Sequence, residues 1–500
     1  MRRRTRALAL AAALATSLAF SPEQEASTES RAAAALQAGD HALAITLYRE
    51  VVAAEPANVV ATFGLGQALY FAGEISEGIP LLESARDASG GAGIVLYVLG
   101  QAYLEVGRFA EADEALGGAA SEQPDLVPLA FLRAELCYRI GRGDATTRRL
   151  DEVIRLAPEW DVPHVRLGAL RLDERRYADA VVALERAIEL RPDDVDAALL
   201  LAVAYSRVGL PEKGLAALEA VAILVPDSTT ALLALAERYD RLDRADELVV
   251  VAERILALIP GHPMAEFRLA ERLNLEGDLA AALPHAQGAA ATLRAVSETV
   301  PGVRPDDRWD VTSELVPESR RLVADLQMRL GQTAAARAGA EALVADFPLY
   351  PDGHYLLGNM LLRDADPAGR DHLEQFKRLA DAQLHIDLAT NSLLSNTIDP
   401  ARTEFTAALE FVPEHPVALV GLAEASRRAG DAAAAVELLE RARTAGADPT
   451  SWYANYILAL GALGRRDEAQ VAWTEAARLG LQPEYEVLEY MYAEVGACRE

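Results

Sequence analysis

Small and apolar residues between positions 93 and 124 follow a helical spacing twice, with a glycine between the two runs. Residues three and four apart share one face of a helix, so each run predicts one amphipathic helix. Gly107 lies between the runs, and glycine readily adopts the left-handed conformation that ends a helix. Pro124 ends the second run, because proline lacks the backbone donor that a helix interior needs. The first run is Leu96, Leu99, Gly100 and Tyr103, and the second is Ala112, Leu116 and Ala119.

The predicted helix-turn-helix hairpin recurs along the chain with a period of 34 residues. Prolines that end the second helix keep this period, and Gly90 occupies the one grid position that lacks a proline. Each hairpin can bury its apolar face only against its neighbours, so the period predicts a solenoid. The prolines on the grid are Pro56, Pro124, Pro158, Pro192, Pro226 and Pro260.

Each period also carries residue types at fixed offsets, as in Leu167, Gly168, Tyr177, Ala180 and Leu184 of the fifth repeat. This pattern resembles the tetratricopeptide repeat family, in which Leu-Gly, Tyr, Ala, an aromatic residue, Ala and Pro follow one another. The resemblance covers nearly all of the chain after its N-terminal segment. It implies an all-α fold, an α-solenoid in which the repeats form a right-handed superhelix. It also implies a function in binding other proteins.

The repeat pattern is interrupted once, which divides the chain into segments. We expect a first array of about eight repeats over 25–294 and a second array of about five over 317–483. Residues 295–316 are rich in proline, glycine and aspartate and predict a loop-like insert. The insert either carries a binding function, for which Trp309 is the candidate, or is a neutral excursion. Residues 484–500 predict a helix that caps the array.

The N-terminal segment 1–19 has the layout of a secretory signal peptide. Four arginines between Arg2 and Arg6 precede an apolar run from Ala7 to Ala19, which ends in small residues. We therefore expect an exported protein, in the periplasm or outside the cell. The alternative is an uncleaved anchor in the inner membrane. The arginine-rich and alanine-rich composition indicates a bacterial genome of high GC content.

The two cysteines are predicted to be free thiols. Cys137 occupies a helix-packing position and has the character of a small buried hydrophobe. A bridge to Cys498 would have to span most of the array.

The formal net charge of −28 argues against nucleic-acid binding, which requires basic stripes. The negative charge weakly favours basic or neutral protein partners. The alternative is that it only keeps the protein soluble. The chain has no phosphate-binding glycine-lysine loop, no HExxH or CxxC pair and no GxSxG turn, so we expect neither an enzyme nor a cofactor. His354, His372 and His385 could approach one another in stacked repeats as a metal site, or serve as packing residues.

The family resemblance implies that the first helix of each repeat lines the inner wall of the superhelix. In the second to fourth repeats this wall is enriched in aromatic and amide side chains, which suit an extended peptide. The alternative is that these rings pack between repeats. The wall of the seventh to tenth repeats is polar and of mixed charge, with Glu237, Asp240, Arg241, Glu271, Asn274, Asp325 and Arg329. The predicted partner-binding residues are Phe63, Gln67, Tyr70, Phe71, Tyr97, Gln101, Phe131, Glu135, Tyr138 and Trp309.

These observations predict a non-enzymatic scaffold that binds peptide segments or partner proteins in its concave groove, for assembly of a bacterial envelope complex. Two other classes stay open. The array could self-associate as a structural component of a secretion or polysaccharide-export machine, or it could be an accessory subunit of an enzyme complex.

Overall fold

The computed structural model describes residues 27–299, 315–481, 485–492 and 498, and every regular element among them is a helix. The helices pair into successive helix-turn-helix repeats, which confirms the prediction of an all-α solenoid. We call the first helix of each repeat helix A and the second helix B. Across the described residues, no helical segment has the length and hydropathy of a membrane span.

The chain divides into two compact units, and the first contains residues up to Arg191 together with Met491–Glu500. It holds the first five repeats, each with one helix A and one helix B. The helices are α1 (Thr28–Gln37), α2 (His41–Ala54), α3 (Val59–Ala72), α4 (Ile75–Ser89), α5 (Gly93–Glu105), α6 (Phe109–Glu122), α7 (Val127–Arg139), α8 (Gly143–Leu156), α9 (Val162–Asp173) and α10 (Tyr177–Leu190).

The second unit is Pro192–Tyr490 and holds the sixth and later repeats. Its helices are α11 (Val195–Arg207), α12 (Pro211–Leu224), α13 (Thr229–Arg241), α14 (Ala245–Leu258), α15 (Pro263–Glu276), α16 (Leu279–Thr299), α17 (Leu315–Arg329), α18 (Thr333–Asp346), α19 (Pro351–Arg363), α20 (Ala368–Leu394), α21 (Ile398–Phe411), α22 (Pro416–Arg428), α23 (Ala432–Thr444), α24 (Pro449–Ala462), α25 (Arg466–Arg478) and α26 (Tyr485–Met491).

The third repeat shows why the sequence folds into a hairpin. Gly107 has φ +76°, the left-handed conformation that lets the chain turn between α5 and α6. Gly100 of α5 faces Leu116 of α6 so closely that a Cβ there would lie 2.6 Å from the Leu116 Cδ2 atom. Leu116 and Ala112 are fully buried. The small residues therefore set the distance and the rotation of helix A against helix B.

One repeat boundary in the second unit departs from the pattern. Helix α20 is 27 residues long and serves both as helix B of the tenth repeat and as helix A of the eleventh. Its first part packs on α19, where Phe376 meets Tyr355 with ring centroids 5.1 Å apart. Its second part belongs to a core cluster with α21, through Ile386 and Phe405. The sequence between Phe376 and Ile386 has neither the proline nor the glycine that follows helix B in the first seven repeats, so the helix continues.

Both ends of the loop predicted over 295–316 are helical in the structure. Residues 295–299 belong to α16 and residues 315–316 belong to α17, so the prediction was wrong at both ends. Residues 300–314, including Trp309, lie outside the described residues, as does the predicted signal peptide 1–19.

The prediction of two free thiols was wrong, because Cys137 and Cys498 form a disulfide across a sequence separation of 361. The C-terminal segment from Met491 belongs to the first unit, where Tyr492 and Cys498 pack against the core cluster of the second to fourth repeats. Within 484–500, the described helix is α26, which ends at Met491. Distance along the sequence was therefore a poor guide to distance in space.

Candidate partner-binding wall

The candidate site consists of the predicted helix A residues of the second to fourth repeats, on α3, α5 and α7; we call it the aromatic wall. Small residues on each of these helices fix its rotation against helix B. Gly66 of α3 lies so close to α4 that a Cβ there would be 2.8 Å from the Leu82 Cγ atom. Phe63 and Tyr70 lie three and four residues from Gly66 and therefore share its side of α3, beside the hairpin core, whereas Phe71 lies farther around the helix.

The second repeat contributes half-buried rings to the wall. Tyr70 and Phe71 have ring centroids 5.3 Å apart, and Phe71 also stacks on His41 at 5.7 Å. Phe63 and Tyr70 pack against the core cluster that contains Tyr97. The structure therefore brings the rings of the second and third repeats together in one cluster.

Tyr97 lies deeper than the sequence suggested. Only 7% of its surface is exposed, and burial raises the pKa of Tyr97 to about 12. It therefore packs between repeats, which was the alternative interpretation for these rings, and offers a partner little contact area. Phe63, Tyr70 and Phe71 remain partly exposed.

Two amide side chains on the same helices as these rings have no hydrogen-bond partner among the described residues. Gln67 of α3 and Gln101 of α5 are half-buried, and neither side chain makes a hydrogen bond with another described residue. Amides that are partly withdrawn from water and not hydrogen-bonded within the protein remain available to pair with a ligand's backbone.

The wall of the fourth repeat is engaged with the fifth repeat instead. Glu135 forms an ion pair with Arg166, with 2.8 Å between their nearest atoms. The Tyr138 hydroxyl donates a hydrogen bond of 2.7 Å to Asp173, and Arg166 lies over the Tyr138 ring at 4.6 Å. Burial, reinforced by the charge of Asp173, raises the pKa of Tyr138 well above its ordinary value.

Phe131, also in the fourth repeat, packs on Trp160 with ring centroids 5.0 Å apart. The sequence analysis did not single out Trp160, Arg166 or His41 as neighbours of the wall. Trp160 lies between α8 and α9, and it reaches the wall where the fifth repeat packs on the fourth. The second and third repeats are thus the part of the aromatic wall with free polar groups.

The polar wall of the seventh to ninth repeats is internally paired. Arg268 lies 2.5 Å from Asp240 and 2.8 Å from Glu271, and Arg241 pairs with Glu237. These charges satisfy one another, so the surface offers a partner fewer free groups than its composition suggested.

The histidines singled out as a candidate metal site form two separate contacts. The Nδ1 atoms of His354 and His372 are 3.0 Å apart, whereas Nδ1 of His385 lies 2.6 Å from a Glu404 oxygen. Nε2 of His354 also lies 3.1 Å from the Pro348 carbonyl oxygen, a contact typical of a packing residue. Among the described residues, no three side chains of the metal-binding types gather into a site.

Comparisons with known proteins agree with this architecture. Two family models, both described as tetratricopeptide repeat, match residues 35–91 and 171–239, and residues 323–369 and 396–451. No curated protein matches the chain.

Similar solved structures include YrrB, a TPR protein with an unusual peptide-binding site, at 16% identity and a TM-score of 0.31, covering 37% of this chain and 96% of that one. A tetratricopeptide repeat protein from Parabacteroides merdae is 15% identical with a TM-score of 0.37, covering 48% and 96%. The C-terminal part of a TPR repeat-containing protein from Cytophaga hutchinsonii is 16% identical with a TM-score of 0.40, covering 48% and 99%. The repeat grid, the hairpin architecture and the family matches agree that the chain carries tetratricopeptide repeats, which form an all-α scaffold of the kind that binds other proteins.

Proposed function

We propose that the protein binds an extended segment of a partner protein on the aromatic wall, at the second and third repeats. The observation that carries this proposal is a pair of half-buried amides without a hydrogen-bond partner among the described residues. Gln67 shares α3 with the partly exposed rings of Phe63, Tyr70 and Phe71, and Gln101 occupies the equivalent position of α5. Rings supply contact area with little loss of side-chain entropy, and amides can both donate to and accept from a peptide backbone. Repeats of this family generally act as interaction scaffolds and not as catalysts.

The setting we propose is assembly of a bacterial envelope complex by an exported protein. The predicted signal peptide 1–19 supports export, and so does the Cys137–Cys498 disulfide, because such bonds persist in oxidising compartments. The net charge of −28 favours a basic or neutral partner. N-terminal sequencing of the protein from a periplasmic fraction tests export, and a mature N-terminus near Phe20 is the expected result. An intact N-terminus in the membrane fraction would indicate the uncleaved anchor instead.

Site-specific photo-crosslinking in the source organism tests the binding site. A photoreactive amino acid at Gln67 or Gln101 should capture one and the same partner. Gln375 of α20 is the matched control, because it is also a half-buried glutamine without a hydrogen bond to another described residue. Capture only from a probe at Trp309 or in later repeats would refute this site. Capture of a second copy of the same chain would favour the self-associating role.

The Gln67→Ala/Gln101→Ala double variant gives a second test. It removes the two amides without breaking any hydrogen bond with the described residues, so helical content should stay unchanged while partner capture falls. Tyr97→Ala is unsuitable, because Tyr97 is part of the core and its loss creates a cavity. Unchanged capture by the double variant would contradict the proposal.

A further inference from the structure

A tyrosine of helix A fills the space between consecutive B helices in several repeats. In the third repeat Tyr103 donates a 2.7 Å hydrogen bond to Glu83 on the preceding helix B, and Arg108 at the start of its own helix B lies 4.3 Å from the ring centroid. Tyr239 of the seventh repeat makes the same 2.7 Å bond to Glu219. The ring thus closes the cleft between the two B helices.

In the fourth repeat the residue at this position is Cys137, which is too small to fill the cleft. The C-terminal segment takes the place of the ring. The backbone N–H of Cys498 donates to Asp113 of the preceding helix B at 3.1 Å, and Tyr492 packs edge-on against Phe109 at 4.8 Å. Arg142 donates to the Tyr492 carbonyl oxygen at 3.3 Å. A cleft between B helices can therefore hold a piece of polypeptide from a distant part of the sequence.

The twelfth repeat has Ser426 at this position, and here the cleft is open. A cavity of about 770 Å³ lies between α21 and α23, with Leu422 and Ser426 on helix A as its floor. Ser426 is only 3% exposed, and its hydroxyl makes no hydrogen bond with another described residue. A hydroxyl that lines an open cleft, on a residue that is otherwise buried, and that has no partner among the described residues is available to pair with a ligand in the cleft.

The side chains around this floor give the cleft its polarity. The carboxylates of Asp399, Glu410 and Glu437 line it, and none of them forms an ion pair with a described residue. Arg402 is the unpaired cation of the lining, while Arg441 is already paired with Glu414 at 2.8 Å. The unpaired charges therefore leave the cleft negative, which favours a cationic ligand.

We propose that this cleft, which we call the Ser426 cleft, binds a lysine-bearing or arginine-bearing segment of a partner protein. The site lies on the B helices and is separate from the aromatic wall, so it extends the proposed function to a second docking surface. Thr403 and Thr406 donate to carbonyl oxygens of their own helix at 3.0 and 2.7 Å, which leaves their oxygens free to accept backbone N–H groups. Arg402 is placed to donate to a backbone carbonyl, and the three carboxylates receive the basic side chains.

The test uses the full-length protein and two short fluorescein-labelled peptides, one alternating lysine with alanine and the other alternating glutamate with alanine. Fluorescence anisotropy should show binding of the lysine peptide to the wild type. Ser426→Tyr should weaken it at least about tenfold, because the ring fills the cleft as Tyr239 does in its repeat. This substitution leaves the net charge unchanged, so nonspecific attraction to an acidic protein cannot explain the loss.

Three further variants make the result decisive. Ser392→Tyr, the same change outside the cleft lining, should bind like the wild type. Asp399→Asn/Glu437→Gln alters two exposed side chains, and should weaken the lysine peptide about three- to tenfold without a folding defect. Gln67→Ala/Gln101→Ala should bind it normally, which separates this cleft from the aromatic wall. The proposal is overturned if neither peptide binds, if the glutamate peptide binds as well, or if Ser426→Tyr and Ser392→Tyr behave alike.

Discussion

Removing the Cys137–Cys498 disulfide should destabilise the first unit by several kcal/mol. The suitable change is Cys498→Ser, because Cys137 is 1% exposed in the core and a polar substitute there would add its own burial cost. The bond closes a loop over a sequence separation of 361. The loop-entropy relation gives about 6 kcal/mol if that whole loop unfolds.

A smaller value applies if the first unit unfolds while the second stays folded. The flexible parts of the loop are then positions 138–191 and 491–497, which together are roughly 61 residues. The same relation gives about 4 kcal/mol for a loop of that length. With a urea m-value of about 2 to 3 kcal/mol/M, the unfolding midpoint should fall by about 1.3 to 2 M.

Urea unfolding followed by far-UV circular dichroism measures this effect, with and without dithiothreitol. The reduced wild type should unfold at the same urea concentration as Cys498→Ser, and the variant should not respond to the reductant. Agreement between them separates loss of the bond from any other effect of the substitution. Equal midpoints for oxidised wild type and Cys498→Ser would refute the reasoning.

Three further predictions concern individual residues. Gly100→Ala should lower the free energy of unfolding in urea by about 1 to 3 kcal/mol, because the new Cβ meets the buried Leu116 side chain of the facing helix. Gly117→Ala has open space around the new Cβ and should raise the free energy of unfolding by about 0.5 to 1 kcal/mol. A loss from both or a gain from both would contradict the packing described for the hairpin. Burial lowers the pKa of His415, so the unfolded chain takes up the proton first as the pH falls. The stability of the folded protein should therefore fall as the pH drops below about 6.5. The melting temperature of His415→Gln should fall less between pH 8 and pH 5 than that of the wild type. Tyr239→Phe should cost about 1 kcal/mol at neutral pH through loss of the bond to Glu219. Because burial and that bond raise the pKa of Tyr239 to about 12, its contribution should vanish between about pH 10 and pH 12, where the unfolded tyrosine ionises first; an unchanged alkaline melting curve in the variant would argue against it.

The hairpin architecture was predictable because the residues that determine each hairpin lie within a single repeat. Gly107 and Pro124 mark where helices end, and the spacing of Leu96, Leu99 and Tyr103 marks the buried face. None of this information depends on distant parts of the chain. In a solenoid, local signals therefore determine most of the fold.

Features that depend on the meeting of distant or neighbouring repeats were not predictable in the same way. The pairing of Cys137 with Cys498 follows from where Tyr492 and Cys498 lie, and sequence spacing carries no information about that. The burial of Tyr97 depends on the side chains that the adjacent repeats place around it. The continuous helix α20 follows from a missing proline, which shows in the sequence only after the repeat boundaries are known.

Because Cys498 is bonded to Cys137 of the fourth repeat, this disulfide joins residues that are synthesised at very different times. At about 5 to 20 residues per second, a ribosome needs roughly 20 to 70 s to add the residues between the two cysteines. Throughout that time Cys137 stands as an unpaired thiol beside apolar surface that Tyr492 later covers. The disulfide can therefore form only after synthesis has reached Cys498. A chain cut short before that point keeps a free thiol and an exposed apolar patch, and exposed apolar surface makes incomplete chains prone to aggregation.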